Sequence, residues 1–334
     1  MQTLLLDDTI ENIRLAGNII RRGGLVAFPT ETVYGLGADA LNRDAVKKVY
    51  LAKGRPSDNP MIVHIQEPEE LKSLTREITD DMKMLMGAFW PGPMTMVVRR
   101  DPKIPDTTTG GLDTVGIRLP SNPTARALIR ESGKPIAAPS ANLSGRPSPT
   151  SYRHVVHDLD GKIDAILKGE DARFGIESSV IDMTGPTPVI LRPGAITAEM
   201  FARALGKPVT LDPTLNQKPD GTADFHPRAP GMKYKHYAPE AAMTIYQGTA
   251  ENTEAAMRED REALERQGKR VMILAFDPSP TGEEEAAHEL FRRLRAADEE
   301  GFDWILARAL PQEGMGFSVM NRMLRSAGFH IKEV

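Results

Sequence analysis

Short apolar runs separated by amphipathic stretches set the rhythm of this chain. Residues 25–28, 61–65, 94–98, 115–119, 136–138, 179–182 and 189–191 read as strands, and the stretches between them place apolar side chains at helical spacing. That alternation predicts an α/β domain. Between residues 206 and 240 the periodicity stops, giving way to six prolines, few aliphatics and the run Lys233-Tyr234-Lys235-His236. Beyond it, strands at 242–246, 270–276 and 304–307 alternate with helices at 251–267, 284–297 and 317–327, a smaller three-layer α/β module. The expected organisation is therefore a first domain at 1–205, a Pro-rich interdomain linker at 206–240 and a second α/β domain at 241–334.

Composition removes several classes of function. With 334 residues and 40% of them hydrophobic, the chain can fill two modest cores. Its 42 basic and 46 acidic residues give a net charge of −4, which argues against a surface built throughout to coat nucleic acid or an anionic membrane. The count of zero cysteines rules out disulfides, a thiolate nucleophile and cysteine-bound zinc or iron–sulfur centres. Residues 1–14 mix apolar positions with Asp7, Asp8 and Glu11 instead of opening on a basic stretch and an apolar core, so no secretion signal is expected. No apolar run approaches the roughly 20 residues of a membrane span. A cytoplasmic protein is expected.

Candidate chemistry concentrates in two runs, 28–37 (Phe-Pro-Thr-Glu-Thr-Val-Tyr-Gly-Leu-Gly) and 53–60 (Lys-Gly-Arg-Pro-Ser-Asp-Asn-Pro). Each sets chain-reversing residues beside charges and hydroxyls, as a site for an anionic substrate does. A helix is expected over 45–53, with Asp44 as N-cap and Gly54 as its stop. Val46, Val49, Tyr50 and Lys53 share its inward stripe, so Lys53 either snorkels from the core edge or meets an anion, and the nearby Arg55 favours the anion. Alternation along 61–65 sets His64 opposite Met61, Val63 and Ile65, lining a cavity or the surface. Alternation along 115–119 sets Arg118 opposite three apolar residues and beside Gly116, either on a solvated sheet face or where its fork can hold a carboxylate. Ser140, Asn142, Ser178, Ser179 and Arg192 fall at strand ends, where α/β ligand sites form. Such a set suits phosphates and a carboxylate better than a metal cage. His154 and His157 have helical spacing for metal ligation but no evident third ligand, and read as surface histidines.

Taken in order, the fragments at 29–36, 53–56, 63–64, 116–120, 139–142 and 192–194 resemble the signature of the YrdC-like domain in its threonylcarbamoyl-AMP synthase branch. The run 230–239 resembles the interdomain segment of the long form of that family, and the module after it resembles that form's extra domain. The resemblance implies a twisted, mixed, open YrdC-like sheet with helices, followed by a Rossmann-like α/β domain. It implies condensation of L-threonine, bicarbonate or CO2 and ATP into threonylcarbamoyl-AMP and pyrophosphate, a nucleotidyl transfer. It further implies that a separate tRNA threonylcarbamoyl-transferase complex carries the group to an adenosine next to the anticodon. Arg55, Asn59, Thr114, Ser140, Ser148, Arg192 and Tyr234 would contact ATP. Thr32, His64, Arg118, Ala138 and Ser178 would contact threonine, with Ala138 acting through its backbone only. Lys53 and Arg55 would face the phosphates as the catalytic pair, and Mg2+ would arrive with ATP instead of occupying a site of its own.

Met61 stands where leucine is usual in that family and Ser179 where threonine is frequent, both conservative departures. The cationic and aromatic linker around Tyr234 suits a lid over the nucleotide, as against a plain exposed tether. Three rivals remain at this level. A double-stranded-RNA module is disfavoured by the acidic balance and the absence of an aromatic platform, leaving weak RNA contact as the residual expectation. A hydrogenase-maturation carbamoyl transferase would need cysteine-rich zinc elements that the chain lacks. A nucleotide-binding regulator would bind ATP without turnover.

Overall fold

Helix Arg43–Lys53 shows how local sequence sets the frame of the site. Its N-cap is Asn42, correcting the expectation of Asp44: the Asn42 side-chain oxygen accepts from the N–H groups of Asp44 (3.0 Å) and Ala45 (3.1 Å). Asp44 instead sits in the first turn, where its carboxylate faces the positive end of the helix dipole. Gly54 closes the helix at φ 61°, a left-handed conformation that glycine adopts without strain. The computed structural model describes residues 2–215, 217 and 236–334.

The first domain is built on an 11-stranded sheet. From one edge to the other it runs Leu4–Leu6, Ala165–Leu167, Val26–Phe28, Gly35–Asp39, Ile136–Ala137, Ile62–His64, Thr114–Arg118, Met94–Arg99, Ser179–Asp182, Val189–Arg192 and Thr210–Leu211. Parallel and antiparallel pairs mix, so the expected mixed open sheet is present. Alternate residues feed two cores: Ala27, Val63 and Ile117 on one face, Val26, Phe28 and Ile136 on the other. Strand Gly35–Asp39 occupies a stretch whose sequence suggests chain reversal. Its glycines are needed for packing, since a Cβ on Gly37 would lie 2.8 Å from Ile136 and 2.9 Å from the Phe28 ring. Strand Thr210–Leu211, inside the stretch read as linker, pairs with Val189–Arg192 and ends the sheet.

The second domain is a four-stranded parallel sheet in the order Val271–Leu274, Trp304–Arg308, Ala242–Gln247, Ile331–Glu333. Ile245 packs with Phe291 and Met323 of helices Pro280–Glu299 and Gly314–Ser326, while Tyr246 packs with Met257 of helix Ala250–Arg266. Helices thus cover both faces, giving the expected three layers. The two domains are pinned by Arg295, whose guanidinium reaches the Asp158 carboxylate at 2.9 and 3.3 Å.

Candidate active site

Sheet register brings the first two functional side chains together. His64 is the Cα partner of Arg118 across parallel strands, and Thr95 is the partner of Arg118 on the next strand, so the three form one row on one face. Arg118 is buried, donating from Nη2 to Glu31 Oε1 at 2.6 Å and from Nη1 to Thr32 Oγ1 at 2.9 Å. Among the described residues its Nε has no hydrogen-bond partner, and neither does His64 Nδ1. Burial by itself would raise the Glu31 carboxyl, but the charge and hydrogen bond of Arg118 hold it below its ordinary value. Burial, aided by the neighbouring Arg118 charge, brings His64 down to about 3, so its ring is neutral at physiological pH.

A second group gathers cations around the loop 139–142. Lys53 is 2% exposed and donates to the carbonyls of Ser140 and Asn142. Burial first, and the charge of Arg55 second, press its pKa well below the usual lysine range. Arg55 donates from Nη2 to the Pro60 carbonyl at 3.0 Å, and burial lowers its pKa to about 10. Asn59 is buried with its side-chain oxygen unpartnered among the described residues. Arg192 donates from Nε to Ser178 O (3.0 Å) and from Nη2 to Ser178 Oγ (3.1 Å), and Ser178 Oγ lies 2.8 Å from Thr95 Oγ1.

These groups surround one cleft. Of the residues expected from sequence, Thr32, Arg55, His64, Arg118, Ala138, Ser140 and Arg192 line it. The Ala138 N–H is already engaged by the Ile62 carbonyl at 2.9 Å. Lys53, Asn59, Ser148 and Ser178 stand behind the lining. Lys53 holds the Ser140 loop, Asn59 presents its carbonyl to Arg55 Nε at 3.4 Å, Ser148 hydrogen-bonds Glu177 at 2.5 Å and Ser178 holds Arg192. Thr114 starts the strand that Arg118 ends and does not reach the cleft wall. Tyr234, with Lys233 and Lys235, lies outside the described residues.

The expectation of few carboxylates here is corrected by two buried ones, Glu31 and Glu177, while His236 and Tyr237, from the run expected to cover the nucleotide, line the cleft. Glu31 was visible inside the 28–37 run, but nothing local announced Arg118 as its partner. His154 corrects another expectation. It is half-buried, its Nδ1 accepting from the Thr150 N–H at 3.2 Å, and burial lowers it to about 4, while His157 is exposed.

The family model described as "Telomere recombination", which joins the Sua5, YciO and YrdC proteins, matches residues 18–194. The chain belongs to the Sua5/YciO/YrdC family. A second model, described as "Threonylcarbamoyl-AMP synthase, C-terminal domain", matches residues 196–328. Within the Sua5/YciO/YrdC family the chain is 44% identical over 330 residues to the threonylcarbamoyl-AMP synthase of Pyrococcus abyssi, covering 96% of each chain. It is 44% identical over 331 residues to that of Bacillus subtilis, covering 95% of this chain and 93% of the other. Among solved structures, P. abyssi Sua5 complexed with L-threonine superposes with a TM-score of 0.93 at 43% identity, over 100% of both chains. No helix among the described residues is long and apolar enough to cross a membrane.

Proposed function

We propose that this chain is a threonylcarbamoyl-AMP synthase, a nucleotidyltransferase that joins L-threonine, bicarbonate or CO2 and ATP. The observation that carries this reading is the pairing, in one cleft, of Arg118 with a free Nε beside Thr32 and neutral His64, and of Arg55 and Arg192 beside Ser140. The first cluster suits an amino-acid carboxylate and a hydroxyl; the second suits phosphates. Relatives in P. abyssi and B. subtilis carry that enzyme's name, and P. abyssi Sua5 has been solved with L-threonine.

The chemistry asks little of acid–base groups. The threonine nitrogen bonds the carbon of CO2 and loses a proton, or bonds the carbon of bicarbonate with loss of water, and either route gives a carbamate. A carbamate oxygen then bonds the α-phosphorus of ATP while the bond to the pyrophosphate oxygen breaks. Magnesium belongs to the nucleotide substrate. Because the nucleophile is already an anion, a general base is not needed, and its typical contribution of about 10²–10⁴ in rate is forgone. Alignment of two bound reactants can supply about 7–11 kcal/mol, so placement by Arg118 on one side and Arg55 and Arg192 on the other contributes more than proton transfer would. Neutral His64 receives the threonine hydroxyl or amine at its free Nδ1, and Lys53 fixes the Ser140 loop behind the phosphates.

The product supplies a separate transferase complex acting on tRNA. The test is incubation with radiolabelled bicarbonate, threonine and magnesium–ATP, followed by separation of nucleotides. A labelled AMP adduct that forms only with threonine is expected; unlabelled AMP or ADP as sole product overturns the reading.

A further inference from the structure

We propose that Arg322, on the second domain, is a positioning residue for the nucleotide side of the cleft, acting through Glu177 on Ser148 and Arg192. The proposal rests on the synthase reading and deepens it by giving the second domain a part in the site.

Arg322 lies on helix Gly314–Ser326 and is 0% exposed, the bulkiest fully buried side chain among the described residues. Its Nε sits 3.1 Å from Glu177 Oε2, and its Nη1 donates to the carbonyl of Pro193. One guanidinium therefore grips two segments of the first domain at once. Pro193 follows Arg192, and Glu177 precedes Ser178, the residue that receives Arg192 through both backbone and hydroxyl oxygens. The other oxygen of Glu177 accepts from Ser148 Oγ at 2.5 Å. Glu177 itself lines the cleft.

Three further contacts tie the same wall to the second domain. Ser318, one turn before Arg322, donates to the Gly194 carbonyl at 2.9 Å. Gly194 has no room for a side chain, as a Cβ there would lie 2.5 Å from the Ser179 nitrogen. Val33, beside Thr32, and Ile176, beside Glu177, belong to the hydrophobic core of the second domain together with Tyr237. Two loops of the site are thus packed from behind by the other domain.

A second buried ion pair across the same interface serves for comparison, its arginine also donating to the Pro147 carbonyl beside Ser148 at 2.7 and 3.1 Å. Arg295 reaches Asp158 at 2.9 Å across the same interface, but neither side chain lines the cleft. Glu177 faces Arg322, Arg192 and Tyr237. Burial alone would raise its carboxyl, and Arg322 and then Arg192 hold it below its ordinary value. Without Arg322, the carboxylate turns its charge onto Arg192 and competes with phosphate for it.

The experiment compares the full-length chain with R322M, R322K, E177Q/R322M and R295M. It reads KM for ATP, KM for threonine and kcat in pyrophosphate release, with thermal unfolding in parallel. R322M is expected to raise KM for ATP about tenfold, the change that about 1.4 kcal/mol of lost nucleotide binding gives, with KM for threonine moving far less. E177Q/R322M recovers most of the loss, since no unpaired carboxylate remains and the glutamine still accepts from Ser148. R295M frees Asp158 and the Pro147 carbonyl but leaves Glu177 paired with Arg322, so it lowers the unfolding temperature and moves KM for ATP far less than R322M does. A KM for ATP that stays within about twofold in R322M, or shifts equally in R295M, overturns the proposal. Should R322M not fold, R322K against R295M carries the same comparison. Calorimetric titration of the same variants with ATP keeps the proposal separate from the synthase reading, which fails only if the unmutated chain shows no threonine-dependent pyrophosphate release.

Discussion

Arg118 and Glu31 lie 87 residues apart in sequence and meet as a buried ion pair at 2.6 Å, with side chains 5% and 6% exposed. The pair orients the guanidinium and leaves its Nε without a hydrogen-bond partner among the described residues. Thr32, which accepts from the other terminal nitrogen, fixes the same fork from the side.

Replacing Arg118 by alanine should remove the threonine anchor and leave Glu31 buried without its cation. A stability loss of about 3–5 kcal/mol is expected in chemical denaturation. E31Q/R118M should regain much of that stability without regaining threonine affinity. Calorimetric titration should show threonine binding weakened far more than ATP binding in both variants, whereas equal losses for the two ligands contradict the assignment.

His64 gives stability a pH dependence whose sign is fixed. Its folded value of about 3 lies below the ordinary 6.5, so between these limits the unfolded chain binds a proton that the folded chain does not. Stability falls as pH drops below about 6.5, at about 1.4 kcal/mol per pH unit from this group, and is unaffected by it above. In H64Q that slope disappears. Urea unfolding of both proteins between pH 7 and 5 should show the unsubstituted protein losing more; parallel curves contradict a buried neutral ring.

Lys53 supports the Ser140 loop through the two carbonyls it donates to. In K53M the Ser140 and Asn142 carbonyls lose their shared donor, each at a cost of about 1–3 kcal/mol if left unpaired. Pyrophosphate release should fall more than tenfold (roughly, for a residue acting on the transition state), and threonine affinity should change little. Normal turnover in this variant contradicts a role in the phosphate step.

Two glycines with similar backbones separate strain from docking. Gly175 has φ +72°, and a Cβ there would sit 2.4 Å from the His288 carbonyl oxygen of the second domain; Gly268 has φ +75° with nothing within 4 Å. G268A should cost about 1 kcal/mol of backbone strain alone. G175A should also force the domains apart, lowering the unfolding temperature further and raising KM for ATP. Equal effects of the two substitutions contradict the tight docking.

Much of this was legible in the chain because the central strands carry strong apolar alternation. Strands Ile62–His64 and Thr114–Arg118 fall within a residue or two of their expected bounds, with His64 and Arg118 on the anticipated face. Their adjacency was not legible, since register between strands 54 residues apart depends on the whole sheet. Strand Gly35–Asp39 escaped because its glycines serve packing against Phe28 and Ile136 instead of β propensity. Edge strands Leu4–Leu6 and Ile331–Glu333 are only 3 residues each, too short for a pattern. Glu177 and Arg322, 145 residues apart, carry no local mark of their pairing.

Pyrophosphate release from magnesium–ATP by the purified protein, with and without L-threonine and bicarbonate, tests the central claim most directly. Release that requires both, and that is lost in R118A, is the expected result. ATP binding with no release, or release indifferent to threonine, contradicts the account.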